Sequence, residues 1–507
     1  MSALYPYLLP AMMLIPFAGG VLAWWTERLG PGWPRWISLG SLGASLGIAL
    51  LLWSQAGPVA VASAANPAWL WEYRLEWIPQ LGISFHLGLD GLGLVLIVLT
   101  AVLGMLAVGC SWREIQKHVG FFHLNLLWNL AGVIGVFMAL DLFLFFLLWE
   151  VMLVPMYFLI ALWGHGSGQP RGRIYAATKF FIYTQASGLV MLVAILAMVW
   201  MHHADSGVLS FNYIDLLQAE FSDSAQWWLM LGFFVAFAVK LPVVPVHSWL
   251  PDAHSQAPTA GSVDLAGVLL KTGAYGLIRF SVTLFPEASI GFAEVAMALG
   301  VVGVVYGALL AIVQTDIKRF VAYTSISHMG FVIIGIYAGN ETALQGAVIQ
   351  MLAHGLSTGA LFVLCGELYE RIHTRDLSVM GGIAARAPVF AMYLMFYCVA
   401  SLGMPGTGNF VGEFLVLLGA FQVAPLLTAV AAIGLIAAAI YSLLIVQRAI
   451  HGSAADESPL EDLSGREQFM MIAMAVLLIA LGVFPQPVID MVHGPLAAMA
   501  VVMGGGG

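Results

Sequence analysis

Six ionisable side chains stand in stretches of chain that otherwise carry almost no charge. Lys240 lies in Leu229-Met-Leu-Gly-Phe-Phe-Val-Ala-Phe-Ala-Val-Lys240-Leu-Pro-Val-Val-Pro-Val246, and Glu150 in Leu142-Phe-Leu-Phe-Phe-Leu-Leu-Trp-Glu150-Val-Met-Leu-Val154. Lys271, His328, His354 and Glu413 occupy similar settings. A charge at the centre of a bilayer costs about 2.5–3.5 kcal/mol on insertion scales, so such groups mark ion or proton paths by default. Amines, imidazoles and carboxylates are the groups that take up and release protons, and here they recur at similar depth. Pro242, two residues after Lys240, removes a backbone donor and weakens the helix beside the charge.

Spacing places further polar groups around these six. At helical offsets Asp264, Lys271, Tyr275 and Arg279 share one face, a polar stripe that must line protein or water. Gln350, His354 and Ser357 share another, and His328 follows Tyr323, Thr324, Ser325 and Ser327. Glu413 follows the glycine-rich break Gly403-Met-Pro-Gly-Thr-Gly-Asn409. Asp141 is expected at the interface. The order Glu150, Lys240, Lys271, His354, Glu413 gives a line of titratable groups across the membrane plane. The competing reading of each is structural: a static Glu150–Lys240 ion pair, an N-cap role for Glu413, hydrogen-bonded core histidines. His247 and His254 flank Asp252, but their spacing matches no specific metal pattern. That loop reads as structural or as an access path.

These residues need membrane helices to hold them. The chain has 507 residues, 61% hydrophobic and 9% charged, which no soluble globular domain resembles. Apolar runs of about 20 residues recur throughout, each long enough to cross a bilayer as a helix. Nothing reads as the alternating strands of a membrane barrel. The expected fold is an all-α integral membrane protein with fourteen transmembrane helices: 3–24, 33–54, 89–110, 119–139, 141–163, 174–201, 226–247, 260–283, 290–313, 319–338, 341–370, 388–421, 424–449 and 466–491. The longest gap, 55–88, carries Trp69, Trp71 and Trp77, which suit the membrane–water interface. The first run lacks a basic n-region and is expected to be an anchor, not a cleaved signal. Cys110, Cys365 and Cys398 are too scattered for a disulfide framework or a thiolate metal site. The net charge of −9 reflects acidic loops, and without a basic patch nucleic-acid binding is not expected.

Basic residues follow the odd-numbered spans, among them Arg35, Arg113, Lys117, Lys318, Arg371 and Arg466, whereas only Arg74 and Arg279 follow even-numbered ones. Positive-inside bias then puts both termini outside the cytoplasm, on the periplasmic side of a bacterial inner membrane. Spans 7 and 12 are both broken, by Lys240-Leu-Pro-Val-Val-Pro245 and by the Gly403–Asn409 segment. They are five spans apart, so a five-helix repeat would return inverted, as around many transport sites. The expected units are residues 1–118 with helices 1–3, 119–283 as the first repeat, 284–449 as the inverted second, and 450–507 with helix 14. Glu413 would then stand as the inverted counterpart of Lys240. No phosphate loop, dinucleotide fingerprint, haem motif or nucleophile elbow occurs, so the chain is expected to carry no redox or hydrolytic chemistry itself.

The stretch Val239-Lys240-Leu-Pro-Val-Val-Pro-Val-His247-Ser-Trp-Leu-Pro-Asp-Ala-His254-Ser-Gln-Ala-Pro-Thr-Ala-Gly-Ser262 resembles the signature of the antiporter-like membrane subunits of respiratory complex I. So do Leu269-Leu-Lys271-Thr-Gly-Ala-Tyr-Gly-Leu277, the run from Thr315 to His328, Ala353-His354-Gly355, and Gly403–Phe414. Glu413, where sister subunits L and N usually carry Lys, makes the chain similar to the M-type branch. It is expected to lack the long lateral helix of the L-type. The resemblance implies a proton-translocating module in an assembly that oxidises NADH and reduces quinone, with FMN, iron–sulfur clusters and quinone in partner subunits and none in this chain. It implies L- and N-type neighbours and lipids as partners. It implies Glu150 and Lys240 as a modulating pair, Lys271 as connector, Glu413 as exit and His354 as linker. The alternative is a subunit of a multisubunit cation/proton antiporter. Such work against about 200 mV costs about 4.6 kcal/mol per proton, equivalent to a swing of roughly three to four pKa units at the carrier.

Overall fold

A computed structural model of the chain describes residues 5–56, 69–165, 170–453 and 459–504. The terminal glycines 505–507 and part of the 55–88 gap lie outside the described residues. Among the described residues twelve helices are long and apolar enough to cross a membrane, and Pro388–Ser401, Gly408–Val423 and Gln486–Val502 are shorter apolar helices. The helices divide into an outer ring and a core. The membrane-length windows of Gly32–Gln55, Pro425–His451 and Gly465–Val483 are 33% buried, whereas those of Thr259–Leu284 and Glu341–Ile372 are 100% buried and that of Ile317–Tyr337 is 94% buried. Lys271, His354 and His328 lie on these three innermost helices.

Proline chemistry sets the interruptions. In span 5 the helix Leu142–Val151 yields to Leu153–Trp163. Pro155 has no N–H for the carbonyl of Val151 four residues back, and the break falls there. In span 7 the helix Asp223–Lys240 ends on Lys240 itself and resumes as Trp249–Gln256. The carbonyls freed by Pro242 are retaken, that of Ala238 by the Val243 amide at 2.8 Å and that of Val239 by the Trp249 indole at 2.9 Å. In span 12 Pro388–Ser401 is followed by a turn in which Gly403 (φ +85°) and Gly406 (φ +93°) take the left-handed conformation, then by Gly408–Val423. Lys240 closes the helix before its break, while Glu413 lies inside the helix after its own. The two are therefore not at matching positions of their broken helices.

Spans 5 and 10 begin alike. Asp141 Oδ1 accepts from the amides of Phe143 and Leu144 at 3.0 Å each, and Asp316 Oδ1 from those of Lys318 and Arg319 at 2.9 and 3.0 Å. Each aspartate also forms an isolated bridge, Asp141 with Asn212 and Asp316 with Asp376. Asp141 is fully buried against the protein, and its other carboxylate oxygen accepts from Ser84 N at 2.8 Å.

Two regions depart from the expected spans. The 55–88 gap contains an antiparallel hairpin, Trp71–Ile78 against Ile83–Leu89. Residues 466–491 are not one helix but nearly all of Gly465–Val483 and the start of Gln486–Val502. Pro485 holds the preceding Phe484 out of helical geometry (φ −136°, ψ 68°).

Candidate proton-transfer line

Four of the six ionisable residues form one connected cluster. The helix Thr259–Leu284 widens to π geometry over Leu265–Leu269. Lys271 Nζ donates to Ala266 O within that segment and lies 2.7 Å from His354 Nδ1. A π-bulge leaves carbonyls out of the regular ladder, and bulges of this kind recur at functional sites. The His354 and His328 rings meet edge to face with centroids 5.7 Å apart. His328 Nδ1 lies 2.8 Å from Glu413 Oε1, which also accepts from Gln350 Nε2 at 2.8 Å. Tyr441 OH stands 3.3 Å from the other His328 nitrogen. Lys271, His328, His354 and Glu413 are each at most 2% exposed.

The other two sit at the opposite end. Lys240 Nζ has no hydrogen-bond partner among the described residues and lies 5.0 Å from the Trp149 ring centroid and 5.8 Å from that of Phe180. Aromatic faces attract a cation through their quadrupole without accepting its proton. The carboxylates whose field reaches Lys240 are Glu150 first and Asp264 second. Glu150 makes no ion pair with Lys240 within 4.0 Å, so the expected pair is held apart in this conformation. Asp264 instead accepts from the Asn129 side chain. Gly273 lets the two amine-bearing helices approach, since a Cβ there would lie 2.8 Å from Phe237 O.

Glu150 is half-buried, and its Oε1 rests on Gly188 of the helix Pro170–Ser206, with Gln185 beside the carboxyl group. A Cβ at position 188 would stand 2.6 Å from that oxygen, so alanine must push the carboxylate aside. Gly188→Ala should lower proton transport by about tenfold or more, because sub-ångström misplacement of a reacting group is costly. Transport by the assembled complex in vesicles, normalised to complex content, checks this, and a wild-type rate would show that the seat of Glu150 does not matter.

Other sequence expectations resolve differently. The stripe on span 8 is buried throughout, but its members serve different partners: Arg279 binds Asp90, and Tyr275 OH donates to Phe137 O at 3.1 Å. Lys318, expected as a loop cation, is fully buried and donates to Ala257 O at 3.0 Å. His247, Asp252 and His254 do not converge. His247 meets Tyr306 edge-on at 5.3 Å, His254 stacks on Phe362 at 4.5 Å, and Asp252 is held by Lys179 at 2.7 Å and Arg319 at 2.8 Å. Asn129, Gly188 and Tyr441 were not legible as site residues. Asn129 carried a usable signal, an amide in the apolar run Leu126-Leu-Trp-Asn129 that needs a buried partner.

The profile of the family described as "NADH:quinone oxidoreductase/Mrp antiporter, TM" matches residues 139–440, which include all six residues. NADH-quinone oxidoreductase subunit M of Escherichia coli (strain K12) is 59% identical over 492 residues, covering 96% of this chain and 97% of that protein. The subunit M of Pseudomonas aeruginosa is 59% identical over 485 residues, 95% of each. Among solved structures, a chain of respiratory complex I from Thermus thermophilus with bound NADH superposes with a TM-score of 0.86 at 30% identity, covering 98% of this chain and 100% of that one. A chain of the archaeal membrane-bound sulfane sulfur reductase superposes with a TM-score of 0.83 at 25% identity over 95% of this chain and 77% of that one. With the antiporter-type fold and the buried ionisable line both in place, the chain belongs to the subunit M family of NADH-quinone oxidoreductases.

Proposed function

We propose that the chain is a proton-translocating membrane module of complex I and that Glu150, Lys240, Lys271, His354, His328 and Glu413 carry the protons. The observation that carries this reading is the run Lys271–His354–His328–Glu413 through three innermost helices and one broken one, with hydrogen-bond distances of 2.7 and 2.8 Å at its two ends. Lys271 can hand a proton to His354, and His328 can hand one to Glu413. The ring-to-ring step between them is the longest and is where transfer is gated. Glu150 moving toward or away from Lys240 changes the proton affinity of that amine and sets when the line loads.

The finer assignments belong to the same reading. Each interrupted span crosses once, giving fourteen crossings, with 119–283 and 284–449 as inverted repeats and 1–118 and 450–507 flanking them. The matched Asp141 and Asp316 starts support the repeat. The bias of Lys and Arg toward the ends of odd-numbered spans supports cytoplasmic odd-numbered loops and periplasmic termini in a bacterial inner membrane. L- and N-type subunits are the expected neighbours. FMN, iron–sulfur clusters and quinone reside in partner subunits, so the chain works as part of a translocase.

His354→Leu removes the central link without adding charge. In the reconstituted complex, proton transport per NADH should fall by about tenfold or more while NADH oxidation with an artificial acceptor persists. Unchanged transport per NADH would remove this line as the path. A membrane scaffold would also leave Glu150→Gln and Glu413→Gln at wild-type transport, and an antiporter lacking redox partners would purify without flavin and iron–sulfur subunits.

A further inference from the structure

An apolar groove runs between spans 2, 3 and 14, away from the proton line. Its walls are Leu39 and Leu46, Val102 and Leu106, and Ala473 and Met474. Gly109 opens its floor, since a Cβ there would stand 2.7 Å from Met470 Sδ. Trp36 to Leu46 is ten residues of helix, about 15 Å. That is half of a hydrocarbon core of about 30 Å, the depth of one leaflet.

The mouth of the groove is aromatic and cationic. Trp36 and Trp112 cross there edge to face at 5.3 Å, and Arg466 lines the same end. Arg35 lies over Trp112 at 5.4 Å and close enough to Arg466 for the two charges to repel. It is 8% exposed, and its Nη2 donates to Ile115 O at 3.0 Å and to Gln116 Oε1 at 3.4 Å. Its Nε has no partner, and among the described residues no carboxylate lies within 4.0 Å of it. Arg466 reaches Glu467 at 3.4 Å and Glu367 at 3.8 Å, but those acids make their shorter bonds, 2.7 and 3.0 Å, to Arg371. Arg466 at the mouth beside interfacial tryptophans fits a phosphodiester, with the Arg35 charge standing against Trp112, and a dry slot one leaflet deep fits an acyl chain.

We propose that this groove binds one anionic phospholipid, its acyl chain between spans 2, 3 and 14 and its phosphate on Arg466, with the Arg35 charge adding to the field against Trp112. The assignment rests only on the chain being embedded in a bilayer and is independent of the proton path. The test uses the whole complex, stripped of loose lipid in mild detergent, with retained phosphatidylglycerol counted by native mass spectrometry. Wild type should hold phosphatidylglycerol in preference to phosphatidylethanolamine. Arg466→Gln should weaken retention about fivefold, each basic group beside an anionic headgroup contributing about 1 kcal/mol. Ala473→Phe, which fills the slot without touching charge, should release the lipid, whereas Leu426→Phe on the exposed start of span 13 should not. Equal retention in wild type and Ala473→Phe overturns the proposal. So does a cysteine placed at Ala473 that cross-links to a neighbouring subunit, because the groove would then hold protein.

Discussion

Lys240→Ala in the assembled complex should lower proton transport by about two orders of magnitude, the usual worth of a positioned proton-transfer group. The local structure makes this side chain replaceable in every respect but its chemistry. Nζ makes no hydrogen bond among the described residues and rests between the Trp149 and Phe180 rings, so alanine leaves no acceptor unsatisfied. The break after it is held by backbone and indole bonds that do not involve its side chain. Assembly should therefore survive. Lys240→Arg sharpens the test. Arginine keeps the positive charge for Glu150 and Asp264 but does not release its proton in proteins. A structural cation would be rescued by arginine, whereas a proton carrier would not. Both variants are measured by acidification of vesicles driven by NADH, beside the yield of assembled complex. Wild-type transport in Lys240→Ala, or recovery in Lys240→Arg, would remove Lys240 from the proton path.

The ionisable residues of the proposed line stand out in the sequence because a bilayer makes every buried charge conspicuous, whatever its partners. What contacts what was less legible. Lys271 Nζ is held on Ala266 O inside a π segment as it meets His354, and hydropathy carries no trace of that backbone change. His328 and Glu413 are 85 residues apart and meet only because the core helices pack against the broken span 12. Gly188 is invisible for another reason: its role is the absence of a side chain where Glu150 needs room. Lys318 misled because a cation near the start of a span reads as a loop residue, while the structure folds its amine inward onto Ala257 O. The hairpin was missed although its signal was present. Trp71-Glu-Tyr-Arg-Leu-Glu-Trp77 alternates apolar and polar residues at period two, the pattern of a half-exposed strand. The same tryptophans also suit a membrane–water interface, so the run reads equally as an interfacial loop. The broken spans were the most readable backbone features, since proline and glycine act on the local chain without tertiary help.

The second large effect concerns stability, at the end of the bundle away from the cationic loops. Asp90 caps the helix Gly91–Glu114 through the Gly93 amide at 2.9 Å, and its other oxygen binds Arg279 of span 8. Both residues are at most 6% exposed, and the guanidinium lies 4.9 Å from the Trp69 ring centroid and 5.7 Å from that of Tyr275. This clamp ties an innermost helix to span 3 beside the C-terminal helix, where a Cβ on Gly91 would run into Met491 O. Removing one partner of a buried pair strands the other charge and costs about 3–5 kcal/mol. Arg279→Leu should therefore lower the thermal midpoint of the complex and its membrane content sharply. Replacing both, Asp90→Asn with Arg279→Leu, should recover much of that loss, because the cost lies in the stranded charge more than in the lost attraction. The Asn side chain can still cap the helix. Proton transport per assembled complex should stay near wild type in both variants, since neither group belongs to the line from Lys240 to Glu413. A thermal midpoint unchanged in Arg279→Leu would mean the clamp does not hold the fold. Normal stability with lost transport would instead place Arg279 on the proton path.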